Sequence, residues 1–293
     1  MTLASLALLH GGEFTWTSFE IHWSTLIGCL LWAGAYLYGI GPARRKYRLA
    51  EQPADRLQVA SFLGGTLFLF LALNGPLHDL SDNFLFSAHM VQHLVITLIV
   101  PPLWLMGLPD WLVRPLLRWP GVRSTARVLA LPLVAFGIYN LVFIGWHFPF
   151  LYNWALVEHN AHILQHIMFI AASAIMWYPV VNPLPELQRM AAPVGLLYLA
   201  VFSIPMSIIS AIITLADTPL YPWYEAAPRV FELSALDDQQ IGGAIMWVPG
   251  MLVFWIAISV LFFRWASREN QDEARQRERL TAAHSARPAR PAP

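Results

Sequence analysis

The sequence predicts an all-α membrane protein, a bundle of about seven transmembrane helices. Of its 293 residues, 57% are hydrophobic and only 12% are charged, and the mean hydropathy is +0.52. Soluble domains are less apolar, so lipid is the predicted solvent for most of the chain. Seven runs without Lys, Arg, Asp or Glu have about the 20 residues that a helix needs to cross the hydrocarbon. These spans are residues 23–41, 57–77, 84–107, 128–149, 160–182, 193–216 and 241–263.

Helix is the predicted secondary structure of every span, because a segment in lipid must satisfy its own backbone hydrogen bonds. The runs lack the alternating pattern of a membrane β-barrel strand. Several spans contain proline, and we expect these prolines to kink the helices rather than break them, because neighbouring helices can absorb the lost hydrogen bonds. They are Pro101, Pro102, Pro132, Pro205 and Pro249.

The basic residues predict the orientation of the bundle. All but one of the 18 Lys and Arg residues fall in the loops after spans one, three and five or in the C-terminal tail, and only Arg229 lies on the other side. Because Lys and Arg accumulate in cytoplasmic loops, we expect the N-terminus outside and the C-terminus in the cytoplasm. Residues 1–22 then form an outer segment and residues 23–265 the membrane domain. Residues 266–293 form a charged cytoplasmic tail, predicted to be a frayed helix that passes into disorder.

The ten histidines are concentrated at the end of the bundle opposite the positive charge, with one exception in the tail. In span three, His89 and His93 are four residues apart and therefore share one helix face. In span five, the string HNAHILQH places His159, His162 and His166 at offsets of three and four along one stripe. Two such stripes at similar depth favour a metal or haem site over isolated structural histidines.

The residue types leave the identity of the cofactor open. Imidazole suits copper, zinc, iron and nickel, whereas thioether sulfur favours Cu(I), and Met246 in span seven is the methionine best placed near the histidines. His78 and His147 are expected at the rim of the cluster. The alternative is a bis-histidine haem b protein acting in electron transfer, with one axial histidine from each of spans three and five. A scaffold without a cofactor would leave both stripes unexplained.

Span seven opens with DQQIGG, which has two interpretations. Asp238 precedes the first turn, where a carboxylate caps a helix, and this is the simpler one. Gly242 and Gly243 would also let span seven approach a neighbour and bring Asp238 and Met246 towards the histidines.

Acidic residues of the outer loops, Asp82 among them, are expected only to attract cations. No HExxH, GxSxG or P-loop motif occurs, so no catalytic activity is predicted, and the zero net charge gives no indication of nucleic-acid binding.

Four segments in register resemble the CtaG-type cytochrome c oxidase assembly factors of bacteria. They are SAHMVQHLVI in span three, WHFPFLY at the end of span four, HNAHILQH in span five and DQQIGGAIMWVPG in span seven, and the resemblance covers residues 20–265. It implies a multi-pass inner-membrane protein that supplies copper to a haem-copper cytochrome c oxidase, with the oxidase subunits and a periplasmic copper chaperone as partners. The matching positions include His89, His93, His147, His162, His166, Asp238 and Met246, whereas His159 rests on spacing alone. The resulting prediction is a Cu(I) site formed by His89, His93, His162, His166 and His159.

Overall fold

Helices form all the regular structure of the described residues. The computed structural model describes residue 14 and residues 16–17, 21–184, 186–187 and 190–285, and no strand occurs among them. This confirms the predicted all-α class. In chain order the helices are α1 (Trp23–Tyr47), α2 (Arg56–Ala72), α3 (Pro76–Asn83), α4 (Phe86–Gly107), α5 (Asp110–Val113), α6 (Pro120–Leu129), α7 (Pro132–His147), α8 (Pro149–Val157), α9 (His159–Val181), α10 (Ala192–Thr214), α11 (Pro222–Ala226) and α12 (Ala235–Ser285).

Five of these helices are long and apolar enough to cross a membrane alone, namely α1, α4, α9, α10 and α12. Two bent pairs, α2 with α3 and α6 with α7, raise the number to seven if each pair counts as one span. Large apolar side chains remain exposed on the outer faces of the bundle, such as Leu133 at 85% and Leu141 at 76%. Such faces need lipid as their solvent, so the described fold is that of a membrane protein.

The second and fourth predicted spans contain breaks, and at Pro132 the predicted kink in a continuous helix was wrong. The axes of α2 and α3 meet at 49°, and Gly75 between them has a φ of 78°, a left-handed conformation that favours glycine. The axes of α6 and α7 meet at 76°, and Pro132 begins α7 instead of lying inside one span. Proline lacks a backbone N–H and disfavours helix in the residue before it, so a helix starts more readily at Pro132 than it continues through it.

The prolines of α4 lie inside a continuous helix, as predicted. Residues Val95–Ile99 form a wider, π-helical turn directly before Pro101 and Pro102. Pro101 cannot donate to the carbonyl of Thr97, four residues earlier, and the indole of Trp177 on α9 donates to that oxygen instead at 3.2 Å. The wide turn therefore lies immediately after His93 and is supported from the neighbouring helix.

The core of the bundle brings α12 against α10 and α4. Gly242 permits the contact with α4, because a Cβ added there would lie 2.4 Å from the ring of Phe86. Gly243 permits the contact with α10, where an added Cβ would lie 2.8 Å from the backbone nitrogen of Thr214. The close approach predicted for span seven is therefore present, and it occurs at the end of the bundle that carries the histidines.

Basic and histidine residues lie at opposite ends of the bundle. Arg48, Arg114, Arg118 and Arg123 line one cavity near the C-terminal end of α1, whereas His22 precedes the first residue of α1. The fold does not by itself define which end faces the cytoplasm, so the orientation stays a prediction. Helix α12 continues to Ser285, and its side chains after about residue 266 are exposed up to residue 281. Residues 286–293 of the predicted tail, and most of the predicted outer segment, lie outside the described residues.

Candidate metal centre

Four of the predicted histidines converge at one end of the bundle. His89 and His93 on α4 contact each other with ring centroids 4.1 Å apart, and His162 and His166 on α9 do so at 4.3 Å. Between the helices, the centroids of His89 and His162 are 5.4 Å apart, and those of His93 and His166 are 5.5 Å apart. All four side chains are buried. The helical spacing placed each pair on one face, and the packing of α4 against α9 directs the two faces towards each other.

The cluster divides into two groups of three ligand atoms that share His89. In one group, ring nitrogens of His89, His93 and His166 lie within 4.8 Å of one another. In the other, ligand atoms of Asp82, His89 and His162 meet the same limit. Metal–nitrogen and metal–oxygen bonds of about 2 Å require ligand atoms roughly 3 to 4 Å apart, so a small contraction of either group would suit one ion. The structure therefore shows two adjoining three-ligand arrangements in place of a single four-histidine site.

Hydrogen bonds fix the tautomer of His89. The Tyr224 hydroxyl donates to the carbonyl of Ser81 at 2.5 Å, so it can only accept from His89 Nδ1, 2.7 Å away. The same carbonyl lies 3.3 Å from His89 Nδ1 and also accepts. His89 Nδ1 therefore carries the proton in the neutral ring, and Nε2 has a free lone pair that points into the cluster. A ring oriented in this way by an outer hydrogen bond is typical of metal-binding histidines.

The tautomer of His93 follows from that of His89. The two Nε2 atoms are 2.7 Å apart, a hydrogen-bond distance, and since His89 Nε2 carries no proton, His93 Nε2 must donate to it. Two nitrogens bound tetrahedrally to one ion would lie roughly 3.3 Å apart, so metal binding would replace this hydrogen bond. The Nδ1 atom of neutral His93 is then unprotonated, and it is buried without a hydrogen-bond partner among the described residues.

The Nε2 atoms of His162 and His166 are likewise buried with no hydrogen-bond partner in the described part of the chain. An unsatisfied buried nitrogen costs about 1 to 3 kcal/mol, so several such atoms in one cluster call for an explanation. Asp82, which is less buried than the histidines, lies 3.4 Å from His162 Nδ1 and 3.4 Å from His78 Nδ1. A cation between the histidines would satisfy the free lone pairs, and Asp82 would balance its charge, so these residues fit a metal ion.

Asp238 lies at the N-terminus of α4 and binds no histidine in the described structure. Its two carboxylate oxygens accept from the backbone N–H groups of Phe86 and Ser87, at 2.7 and 3.1 Å, and from the Ser87 hydroxyl at 2.5 Å. Asp238 therefore caps α4, the helix that carries His89, and not its own helix as the simpler sequence interpretation had it. The N-terminus of α12 is capped instead by Ser234, whose hydroxyl accepts from the backbone N–H of Asp237.

Four other predicted residues take positions outside the two groups. His159 is exposed and His147 is buried, and neither contributes to the two groups of ligand atoms. His147 and Met246 line a separate small cavity that also reaches His93. His78, predicted at the rim, contacts Asp82 and accepts a hydrogen bond from Gln92 at 3.0 Å. It thus supports the cluster from α3.

Sequence reasoning missed three polar residues of the centre. Asp82 was assigned only a long-range role, because the break between α3 and α4 removes the helical register that would relate it to His89. Tyr224 comes from the loop that α11 occupies, and spacing says nothing about such a contact. Gln165, between the two histidines of α9, is buried with neither amide atom hydrogen-bonded among the described residues. The only sequence feature that indicated a role for Gln165 was its position between His162 and His166 in the string HILQH.

The comparisons with known proteins agree with this architecture. Residues 34–268 match a family described as the cytochrome c oxidase caa3 assembly factor. Uncharacterized proteins from Mycobacterium bovis and Mycobacterium tuberculosis are each 24% identical over 269 residues, which is 86% of this chain, and one from Mycobacterium leprae is 25% identical over 272 residues. The chain spans about 40% of the length of these curated relatives. No solved structure matches the chain.

Proposed function

This chain belongs to the family of cytochrome c oxidase caa3 assembly factors, and we propose from that premise that it binds Cu(I) at the histidine cluster and passes it to a subunit of the oxidase. The family is described by its role in assembling the oxidase. In this proposal copper is therefore the ion that the protein delivers, and not a resident cofactor. The proposed location is the bacterial inner membrane, with the histidine end on the outer side, where a periplasmic copper chaperone would supply the ion.

The observation that carries the proposal is the set of buried ring nitrogens that face one another from α4 and α9, where His162 Nε2 and His166 Nε2 have no hydrogen-bond partner among the described residues. Imidazole nitrogen is a good ligand for copper, and three such ligands are available around His89, His93 and His166. The chain supplies no thiolate there, because its one cysteine, Cys29, is a buried residue of α1. Neutral imidazoles hold Cu(I) less tightly than thiolates do, which suits an ion that must leave again.

The two groups that share His89 provide a route for ligand exchange. Asp82 and His162 form the more accessible group, since the Asp82 side chain is 24% exposed, whereas His93 and His166 are almost fully buried. An ion bound by His89 can exchange Asp82 and His162 for His93 and His166 without losing its common ligand. The partial exposure of Asp82 makes this group the entry and exit point of the site.

The haem b alternative requires a planar macrocycle between the axial histidines. The four rings are in direct contact with one another, and aromatic rings occupy the adjoining space. Tyr152 lies 5.3 Å from His89 between ring centroids, and Phe169 lies 4.8 Å from His93. No observation on the described residues favours haem, and haem binding is therefore an outcome that the experiment below distinguishes.

The experiment is a Cu(I) titration of the detergent-purified full chain, after metal removal and without oxygen, in competition with a colorimetric chelator. His89 belongs to both groups, so H89A is expected to weaken copper binding at this cluster by at least about 100-fold, because loss of a ligand should cost more than the roughly 10- to 100-fold of losing an outer hydrogen-bond partner. H166A and H162A are each expected to weaken it less. Unchanged binding in H89A would contradict the proposal, as would a wild-type protein that takes up no Cu(I).

The matched control is H159A, because His159 starts the same helix, is exposed and contributes to neither group. H159A should bind copper like the wild type. An absorption spectrum of the protein as purified tests the haem b alternative, since bis-histidine haem absorbs strongly at about 410 nm. A haem band that H89A or H166A abolishes would replace the copper proposal with the electron-transfer one.

A further inference from the structure

We infer that the chain holds a second, sulfur-containing Cu(I) site, deeper in the bundle than the histidine cluster, formed by Met90, Met206, Met246, His93 and His147. This inference extends the proposed copper function and rests on it. The five side chains line one enclosed cavity, and each is less than a tenth exposed. They come from four helices, α4, α7, α10 and α12, so no local sequence pattern groups them.

The two histidines of this cavity both present unprotonated nitrogens. His147 Nδ1 lies 2.6 Å from the carbonyl of Phe143, which can only accept, so Nδ1 carries the proton and Nε2 has the lone pair. His147 Nε2 is buried and has no hydrogen-bond partner among the described residues, and the same holds for His93 Nδ1. Two acceptors cannot satisfy each other. The cavity is also lined by two hydroxyl residues, but Thr97 donates to the carbonyl of His93, and the Tyr139 hydroxyl bonds to neither imidazole among the described residues. The two lone pairs therefore still lack a positive or donor group.

The three methionines indicate that the group which these lone pairs require is a soft cation. Thioether sulfur is a ligand for Cu(I) and a poor one for harder divalent ions, and three methionines with two imidazoles form a donor set that suits it. The cavity has a volume of about 10 Å³, enough for one ion or roughly one water molecule. Gly250 on α12 leaves room for the Met206 side chain, because a Cβ at position 250 would lie 2.7 Å from Met206 Cε.

His93 connects this site with the cluster above it. Its Nε2 atom lies 2.7 Å from His89 Nε2, and its ring also lines the methionine cavity. The wide helical turn at Val95–Ile99 begins two residues later, so α4 changes its winding at the junction of the two sites. Neutral His93 binds an ion through one nitrogen at a time, Nε2 for the cluster or Nδ1 for the methionine site, and its ring proton takes the other nitrogen. An ion therefore has a short path across this ring, and when both sites are filled the cluster ion is held by Asp82, His89 and His162.

The test is X-ray absorption at the copper edge on the full chain saturated with Cu(I). A sulfur shell at roughly 2.3 Å, the usual length of a metal–sulfur bond, is expected beside the nitrogen shell. The triple variant M90L/M206L/M246L should lose that shell and one copper equivalent, because leucine replaces methionine at nearly constant volume and removes only the sulfur. M176L is the matched control, since Met176 is fully buried in α9 and does not line the cavity.

A nitrogen-only spectrum of saturated wild-type protein would overturn the inference and leave the proposed function intact; the methionines would then serve packing alone and the cavity would hold water. Should the triple variant fold poorly, the single variant M206L has the same expected direction, a weaker sulfur shell. H89A separates the two sites, because it should keep the sulfur shell while losing the equivalent bound by the cluster. A wild-type protein that binds no copper would overturn both proposals.

Discussion

Tyr224 fixes the tautomer of His89, whose Nε2 atom is the proposed metal-binding nitrogen, from outside the cluster. Its hydroxyl accepts from His89 Nδ1 and donates to Ser81, and both bonds depend on a neutral phenol. Burial raises the pKa of Tyr224 well above its ordinary value, so the hydroxyl keeps its proton at physiological pH. The residue therefore holds the His89 ring in the tautomer and orientation that a metal ion needs, although it would not touch the ion.

Removing this hydroxyl should weaken copper binding without removing a ligand. We expect Y224F to raise the dissociation constant for Cu(I) about tenfold, the lower end of the effect of losing an outer hydrogen bond to a metal ligand. Y221F is the control, because the Tyr221 hydroxyl donates to the carbonyl of His147 and does not contact His89. Equal affinities of Y224F and Y221F in the chelator titration would contradict this role.

Asp238 has a structural role that a substitution by asparagine should reveal. Both carboxylate oxygens accept hydrogen bonds, and an asparagine would place its NH₂ group against a backbone N–H. A cap that used one oxygen would tolerate this change, but the cap on α4 uses both. D238N should cost about 1 to 3 kcal/mol of stability, measured as a lower Tm in detergent. D237N, at an exposed neighbour, should leave the Tm unchanged; equal values for both variants would argue against the cap.

The proposed metal ligands were predictable at the residue scale only within one helix. His89 with His93, and His162 with His166, follow from the 3.6-residue period of a helix. Asp82, Tyr224 and the cavity around His147 depend on how different helices meet, which no spacing rule gives. His159 shows the converse limit, because its offset of three from His162 is correct for a shared stripe, yet it begins α9 and is exposed.

Among the helices, α12 determines how the centre is closed. It carries Asp238, which caps α4, and Gly242, which lets α4 approach, while Met246 one turn further on lines the deeper cavity. These residues recur at intervals of four along one helix face. The opening segment of span seven therefore supports the N-terminal end of α4, which carries His89, and supplies no ligand to the two groups of the histidine cluster.

The helix contact gives a direct test with a matched glycine. G242A places a Cβ 2.4 Å from the Phe86 ring, which is fully buried and cannot move freely, so we expect a lower Tm and weaker Cu(I) binding. G64A on α2 meets nothing within 4 Å and should be neutral or stabilise by up to about 1 kcal/mol through helix propensity. A G242A protein as stable as G64A would contradict the close contact of α12 with α4.

Bends were the least predictable property of the helices. Composition gives the apolar length of a span but not its direction, and the spans at 57–77 and 128–149 both proved to be bent pairs. Pro132 was expected to kink a continuous helix but begins one, whereas Pro205 lies inside a continuous helix as expected. Whether a proline bends or starts a helix depends on what neighbouring helices supply, as Trp177 does for the carbonyl before Pro101.

The whole molecule separates positive charge from histidine along the bundle. We predict that cysteine labelling of intact cells will modify a residue introduced at Asp217 from outside and will not modify one introduced at Arg118, because basic loops stay in the cytoplasm. The single native cysteine, Cys29, is buried in α1 and can be replaced by alanine as the background for both variants. Labelling at position 118 from outside would reverse the orientation and place the histidine cluster on the cytoplasmic side.

Copper delivery is the central proposal, and the copper content of the oxidase measures it. The most direct measurement is the ratio of copper to haem in cytochrome c oxidase purified from cells whose only copy of this protein is H89A, compared with cells that carry H159A at an equal protein level. The account predicts oxidase that contains its haem but has lost copper in H89A cells, and a normal ratio in H159A cells. A normal copper content of the oxidase from H89A cells would contradict it.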